Sequence, residues 1–121
     1  MVPFVSIIVP CYNEEKFIGP LLENILLQDY PSERMEVMVV DGRSTDNTRE
    51  IIQEILTRDK RIRLLDNEDK DVPFALNKAI RESVGEIIIR MDAHAVYPGY
   101  YISKLVYWLE RLQADNVGGS W

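Results

Sequence analysis

Glu86-Ile87-Ile88-Ile89-Arg90-Met91 runs without a break into Asp92-Ala93-His94-Ala95. The apolar run reads as a buried β-strand, and the next residues bring a carboxylate and an imidazole to its carboxyl end. Open α/β sheets bind ligands outside the carboxyl ends of their strands. Alternation puts Asp92 and His94 on one side of the chain, with a single residue between them. Two such donors can grip one divalent cation, and a cation can hold a diphosphate. The expected ligand class is a phosphate-bearing small molecule. Arg90 lies on the same side as Asp92. It either pairs with a carboxylate or faces phosphate, and pairing with a carboxylate is the preferred reading.

The rest of the chain alternates strand and helix signals around this segment. Phe4–Pro10 reads as strand one, Met35–Val40 as strand two, Ile62–Leu65 as strand three and Glu86–Met91 as strand four. Residues 14–27 read as a helix with Phe17, Ile18, Leu21, Leu22, Ile25 and Leu26 inward. Ile51, Ile52, Ile55 and Leu56 mark the next helix. Pro73 opens a third, whose inner face is Leu76, Ala79, Ile80 and Val84, and Gly85 closes it. A last helix turns Ile102, Leu105, Val106, Leu109 and Leu112 inward. Asn116–Gly119 reads as the start of a fifth strand.

The expected fold class is α/β, a three-layer α/β/α sandwich with a mostly parallel sheet and helices on both faces. A chain that starts mid-sheet and reverses direction once makes strands one and four neighbours. The crevice then lies between their ends, which brings the segment after Pro10 close to Asp92. The whole of 1–121 reads as one domain.

The chain has 121 residues and a net charge of −6, with 14 Lys and Arg against 20 Asp and Glu. Binding to a nucleic-acid backbone is excluded as a main function, because it needs clustered Lys and Arg. Cys11 is the only cysteine, so no internal disulfide forms and a reducing compartment, the cytoplasm, is expected. No stretch is long enough to span a bilayer. In a longer protein the domain would sit at the inner face of a membrane.

Two further constellations carry chemistry. Pro10-Cys11-Tyr12-Asn13-Glu14-Glu15 follows strand one. It holds no glycine-rich phosphate cradle of either common kind. Tyr12 can stack on a base and Asn13 can hydrogen-bond a ring edge or hydroxyl. Glu14 and Glu15 read as acids at a helix N-terminus, where the dipole favours them. Cys11 has no basic neighbour to lower its pKa and reads as a small buried residue. Val39-Val40-Asp41-Gly42-Arg43-Ser44-Thr45-Asp46-Asn47-Thr48 spans the end of strand two and the turn after it. Ser44, Asp46 and Asn47 read as helix-capping chemistry. Asp41, an acid at the end of a buried strand, needs a partner, and a ribose or base-edge donor would suit it.

These three segments, in this order and spacing, resemble the family-2 glycosyltransferases, inverting enzymes of GT-A fold that use nucleotide-sugars. Ala75-Leu76-Asn77-Lys78-Ala79 is similar to a helix motif of the same family. The resemblance covers essentially the whole chain. It implies that Tyr12 and Asp41 contact the nucleoside, with Pro10 and Asn13 shaping the pocket. Lys70 is the nearest match to a family basic residue. Asp92 matches the first acid of an Asp-x-Asp motif whose third place is His94 here, an Asp-Ala-His variant similar to that of bacterial exopolysaccharide-type transferases. The implied cofactor is a divalent cation held by Asp92 and His94, and imidazole suits Mn2+ better than Mg2+. The implied ligand is a UDP- or GDP-linked sugar. The implied reaction moves that sugar to a polysaccharide, lipid or other acceptor hydroxyl.

The family's catalytic base comes from a later segment, so it is expected after Trp121. On this reading the chain is the nucleotide-binding half of a longer domain and transfers nothing alone. The alternative is an isolated nucleotide-binding or regulatory α/β module without transferase activity. An unfinished sheet edge also predicts self-association through Trp108, Trp121 and the strand at Asn116–Gly119.

Overall fold

The computed structural model describes residues 2–67 and 72–115. Lys70, Trp121 and the expected fifth strand lie outside the described residues. The elements run β1 (Val5–Cys11), α1 (Ile18–Leu26), a 3-10 turn (Ser32–Arg34), β2 (Met35–Asp41), α2 (Thr48–Arg58), β3 (Ile62–Asp66), α3 (Val72–Glu82), β4 (Ile87–Arg90) and α4 (Tyr101–Asp115). The four strands form one parallel sheet in the order β3-β2-β1-β4. The α/β class and the pairing of strands one and four are as expected.

Period-two alternation decides which side chains meet which helices. Val5, Ile7 and Val9 of β1 join Val37 and Val39 of β2 on one face, against Ile18, Leu22 and Ile25 of α1, Ile52 and Ile55 of α2, and Ile102 and Val106 of α4. Ile8, Met38 and Val40 point the other way and pack with Ala79 of α3. The first two crossovers step outward from β1 to β3, and the third returns past β1 to β4. Right-handed connections therefore put α3 on the face opposite α1 and α2. Burying a side chain such as Ile7 or Leu22 completely contributes about 1.5–3 kcal/mol relative to leaving it exposed.

Several boundaries and faces differ from expectation. The first helix begins at Ile18 rather than near Glu14. Asn13 sits at φ 52°, and the carbonyl of Glu14 accepts from the N–H groups of Phe17 and Ile18 in a tight turn. A left-handed residue cannot continue a right-handed helix, so the turn precedes it. Among the described residues β4 is an edge strand and is only partly buried: Ile89 is 4% exposed but Ile88 is 41% exposed. On α3, Ile80 faces solvent, as do Val84 beyond its end, Leu112 of α4 and Phe17 before α1. Helical periodicity marks these residues as apolar but does not say how much of each helix the sheet covers.

Gly85 is required where the chain enters β4. A Cβ there would come within 2.6 Å of the Ser6 backbone nitrogen. Ser6 and Glu36 form the buried polar cluster behind that turn. The Ser6 hydroxyl donates to Glu36 Oε2 at 2.6 Å and accepts the Gly85 N–H at 2.8 Å, and Glu36 Oε2 accepts the Val84 N–H at 2.9 Å. These bonds satisfy the polar groups of the cluster, which is what burial demands.

Candidate functional site

The carboxyl ends of β1 and β4 flank the point where the chain reverses its direction across the sheet, the place where open α/β sheets form a crevice. A cavity of about 360 Å³ opens there, lined by Pro10, Cys11, Tyr12, Glu14, Val40, Asn67, Arg90, Asp92, Ala93 and His94. The structure thus brings Pro10, Tyr12, Asp92 and His94 together. Asn13 and Asp41 stand behind the lining.

Asn13 serves as a clamp between two loops. Its backbone N–H donates to Ser44 Oγ at 2.8 Å, and its side-chain oxygen accepts the Thr45 N–H at 2.8 Å. The left-handed conformation at Asn13, which asparagine tolerates better than most residues, aims the side chain at the second loop. Asn13 therefore fixes the loop that carries Tyr12 against the loop after β2.

Asp41 is fully buried and fully engaged. Its Oδ2 accepts from the Ser44 N–H at 2.9 Å and from Arg49 Nη1 at 2.8 Å, while Oδ1 accepts from the Ser44 hydroxyl and from Cys11 Sγ at 3.5 Å. Arg49 also reaches Asp66 Oδ1 at 3.1 Å, and Arg43 reaches Asp66 Oδ2 at 3.1 Å. Burial opposes ionisation of Asp66, but the two guanidinium groups win and hold its carboxyl below the usual carboxylate range. Burial first, and then the neighbouring Asp41, push the Cys11 thiol far up, so Cys11 stays protonated and is no nucleophile.

Asp92 and His94 have different surroundings. Asp92 accepts from Arg90 Nε at 3.0 Å, with both side chains about half exposed. This is the expected carboxylate pairing of Arg90, formed on an exposed edge rather than in a buried strand. The Asp92 backbone N–H donates to the Tyr97 hydroxyl at 2.9 Å. His94 Nε2 lies 2.8 Å from Glu14 Oε2, and the imidazole sits 4.4 Å, centroid to centroid, from the Phe17 ring.

Among the described residues no group of three or more His, Cys, Asp and Glu side chains could hold a metal ion together. The cavity holds two carboxylates, Asp92 and Glu14, and one imidazole; Glu14 is engaged at His94 Nε2, which leaves Asp92 and His94 as the pair of candidate donors. That set fits an open site, in which a cation takes its remaining ligands from a bound molecule and water, and does not fit a closed protein cage.

Two lining residues have roles that their local sequence does not announce. Glu14 reads as a helix-terminal acid. Its proximity to the segment after β4 becomes a signal only once β1 and β4 are taken as neighbours. Asn67 follows β3 directly, is 3% exposed, and donates its backbone N–H to the Asp41 carbonyl at 2.7 Å. Nothing in the residues around it marks it.

The same arrangement of strands and loops occurs in known proteins. A family model described as glycosyl transferase family 2 matches residues 6–121. The chain is 41% identical over 115 residues to the dolichyl N-acetyl-alpha-D-glucosaminyl phosphate 3-beta-D-2,3-diacetamido-2,3-dideoxy-beta-D-glucuronosyltransferase of Methanococcus voltae, covering 93% of this chain and 36% of that protein. It is 37% identical over 113 residues to the succinoglycan biosynthesis protein ExoA of Rhizobium meliloti (strain 1021), covering 92% of this chain and 34% of that protein. The solved mannosyltransferase PcManGT from Pyrobaculum calidifontis, in complex with GDP-Man and Mn2+, is similar with a TM-score of 0.76 at 38% identity, over 81% of this chain and 29% of that one. The S. aureus TarS structure with UDP-GlcNAc gives a TM-score of 0.77 at 28% identity, over 89% of this chain and 31% of that one. This chain spans about a third of the length of the curated relatives it matches.

Proposed function

The chain belongs to glycosyl transferase family 2, and on that premise we propose that it is the nucleotide-sugar-binding part of a transferase acting on a polysaccharide, lipid or other acceptor hydroxyl. The observation that carries this reading is the cavity at the ends of β1 and β4, where Pro10, Tyr12, Asp92 and His94 share one wall system. Tyr12 lines this cavity and is 42% exposed, and an aromatic ring of this kind suits stacking by a nucleobase. Asp41 takes the nucleoside edge. It sits level with Cys11 across the β1–β2 register, one residue from Tyr12. A base donor reaches it when the Ser44 hydroxyl turns away, since that hydroxyl covers Oδ1.

Asp92 and His94 form the diphosphate end and would hold a divalent cation. Manganese is preferred to magnesium because one of the two donors is an imidazole. When bound, such a cation neutralises the departing nucleoside diphosphate as a Lewis acid. The reaction is a direct displacement at the anomeric carbon, with inversion. The acceptor hydroxyl loses its proton to a carboxylate, a role assigned to no residue of this chain. The 121-residue chain by itself binds the nucleotide and transfers no sugar. Lys70 keeps its assignment as a basic contact to the nucleotide.

No helix among the described residues is long and apolar enough to cross a membrane. The single protected thiol suits the cytoplasm, with the full-length protein at the inner membrane face. The β4 edge and the exposed Trp108 of α4 favour self-association of this chain. A strictly monomeric species in light scattering at high concentration contradicts that part.

Photo-crosslinking tests the nucleotide site directly. Irradiating the chain with azido-UDP or azido-GDP should label the peptide carrying Tyr12. Label confined to the α4 surface contradicts the assignment, and sugar transfer by the purified chain contradicts the division of labour.

A further inference from the structure

His94 is the only histidine in the chain, and the structure holds its ring at two points. Nε2 lies 2.8 Å from Glu14 Oε2, and the Phe17 ring packs against the imidazole at 4.4 Å. Glu14 is itself held in place. Its backbone N–H donates to Thr48 Oγ1 at 2.8 Å, and Thr48 is wholly buried. The Thr48 hydroxyl in turn donates to Asp46 Oδ1, and the Thr48 N–H donates to the same oxygen at 2.9 Å. A continuous chain of bonds thus runs from the loop after β2, through the first residue of α2, to the residue that faces His94. The Glu14 side chain is only 19% exposed, against 63% for His94. The carboxylate is the fixed member of the pair and the imidazole is the one being oriented.

We propose that Glu14 is a positioning residue: by accepting the Nε2–H of His94 it selects one imidazole tautomer and leaves Nδ1 as the nitrogen with a lone pair for a divalent cation. The two nitrogens of a neutral imidazole are not equivalent, and the proton on one decides that the other is the donor. A ligating histidine commonly gives its second N–H to a carboxylate, which orients the ring and strengthens it as a ligand. The two acids before α1 therefore divide. Glu14 serves the cavity, and Glu15, whose N–H donates to Asp46 Oδ2 at 3.3 Å, serves the turn. The same bonds give the Asp46-Asn47-Thr48 segment a role other than the expected capping: Asn47, at the N-cap of α2, makes no side-chain cap bond, whereas Asp46 and Thr48 anchor Glu14. This inference rests on the proposed cation site at Asp92 and His94.

The test reads the tautomer and the metal separately. With one histidine, long-range proton–nitrogen NMR of the metal-free chain, recorded with the imidazole neutral, reports on His94 alone. Wild type should show the Nε2-protonated form, and Glu14→Ala should shift the population toward the Nδ1-protonated form. Calorimetric titration with Mn2+ in the presence of UDP or GDP should find the affinity of Glu14→Ala lowered about 10–100-fold. Glu14→Gln keeps an acceptor at the same reach and should retain most of the affinity, which a direct metal ligand would not. Unfolding midpoints of the variants within a few degrees of wild type exclude a loss through misfolding. An Nδ1-protonated wild type, or unchanged Mn2+ affinity in Glu14→Ala alongside a loss in Asp92→Ala, overturns the role of Glu14 alone. Unchanged affinity in Asp92→Ala overturns the cation site and this inference with it.

Discussion

The hydroxyl of Tyr97 accepts the backbone N–H of Asp92 at 2.9 Å. That bond ties the segment carrying Asp92 to the turn before α4. The turn is itself held by α1 and the residues just after it, since Asn24 Nδ2 donates to the Tyr97 carbonyl at 3.0 Å and Gln28 Nε2 to the Pro98 carbonyl at 2.7 Å. Tyr97→Phe keeps the ring against Tyr101 but removes the acceptor. Asp92 is exposed, so water can replace the hydroxyl, and the loss should be modest, about 0.5–1.5 kcal/mol of stability by urea unfolding. Nucleotide affinity should fall with it, because the carboxylate is less well placed. Unchanged affinity and stability together would show that the tie does not position Asp92.

Gly85→Ala should destabilise the fold strongly for its size. The new methyl meets the Ser6 backbone at 2.6 Å, and backbone in the central strand cannot step aside. Overpacking of this kind costs about 1–3 kcal/mol. Urea unfolding checks it, and a midpoint equal to wild type contradicts the close packing at the start of β4.

Acid should weaken the fold partly through Asp59. Two hydrogen bonds from Arg61, Nε at 3.0 Å and Nη2 at 2.8 Å, hold its carboxyl below the usual carboxylate range, against a smaller opposing effect of burial. A depressed folded-state pKa contributes stability above the unfolded value, about 3.9 for Asp, and loses it as pH falls through the folded value. Asp59→Asn should therefore flatten the fall of stability below about pH 4. Denaturation midpoints measured across that range check it. An unchanged slope in the variant contradicts the pairing.

Cys11 should resist alkylation. It is buried beside Asp41 and its thiol is pushed far above the ordinary range, so little thiolate exists at neutral pH. Iodoacetamide should modify it only on unfolding, as read by mass spectrometry with and without urea. Rapid labelling of the native chain would show that solvent reaches the cavity floor.

The fold is legible because its two periods are plain. Val5 to Val9 and Val37 to Val40 are short apolar runs rich in β-branched residues and bounded by turns, which reads as buried strand, and the apolar residues of α1 recur at helical spacing. The candidate site is legible to the extent that Tyr12, Asp92 and His94, read from the ends of strands, line one cavity. The remainder depends on residues distant in sequence. Arg90 is exposed because β4 has no outer neighbour among the described residues, and nothing in Ile87–Arg90 itself says so. Ile80 and Val84 are apolar, yet the sheet does not reach them. Glu14 meets His94 across most of the chain, a contact set by the sheet order and not by either segment. Asn13 has side-chain chemistry suited to a ligand, but its bonds to Ser44 and Thr45 make it a link between loops.

Asp92 is proposed to mark the diphosphate end of a nucleotide site. Isothermal titration of UDP and GDP into the chain, with and without Mn2+, for wild type and Asp92→Ala, tests it most directly. At least one nucleotide should bind more tightly when Mn2+ is present, and Asp92→Ala should lose that gain. Binding of equal strength in both proteins, with or without the metal, would contradict it.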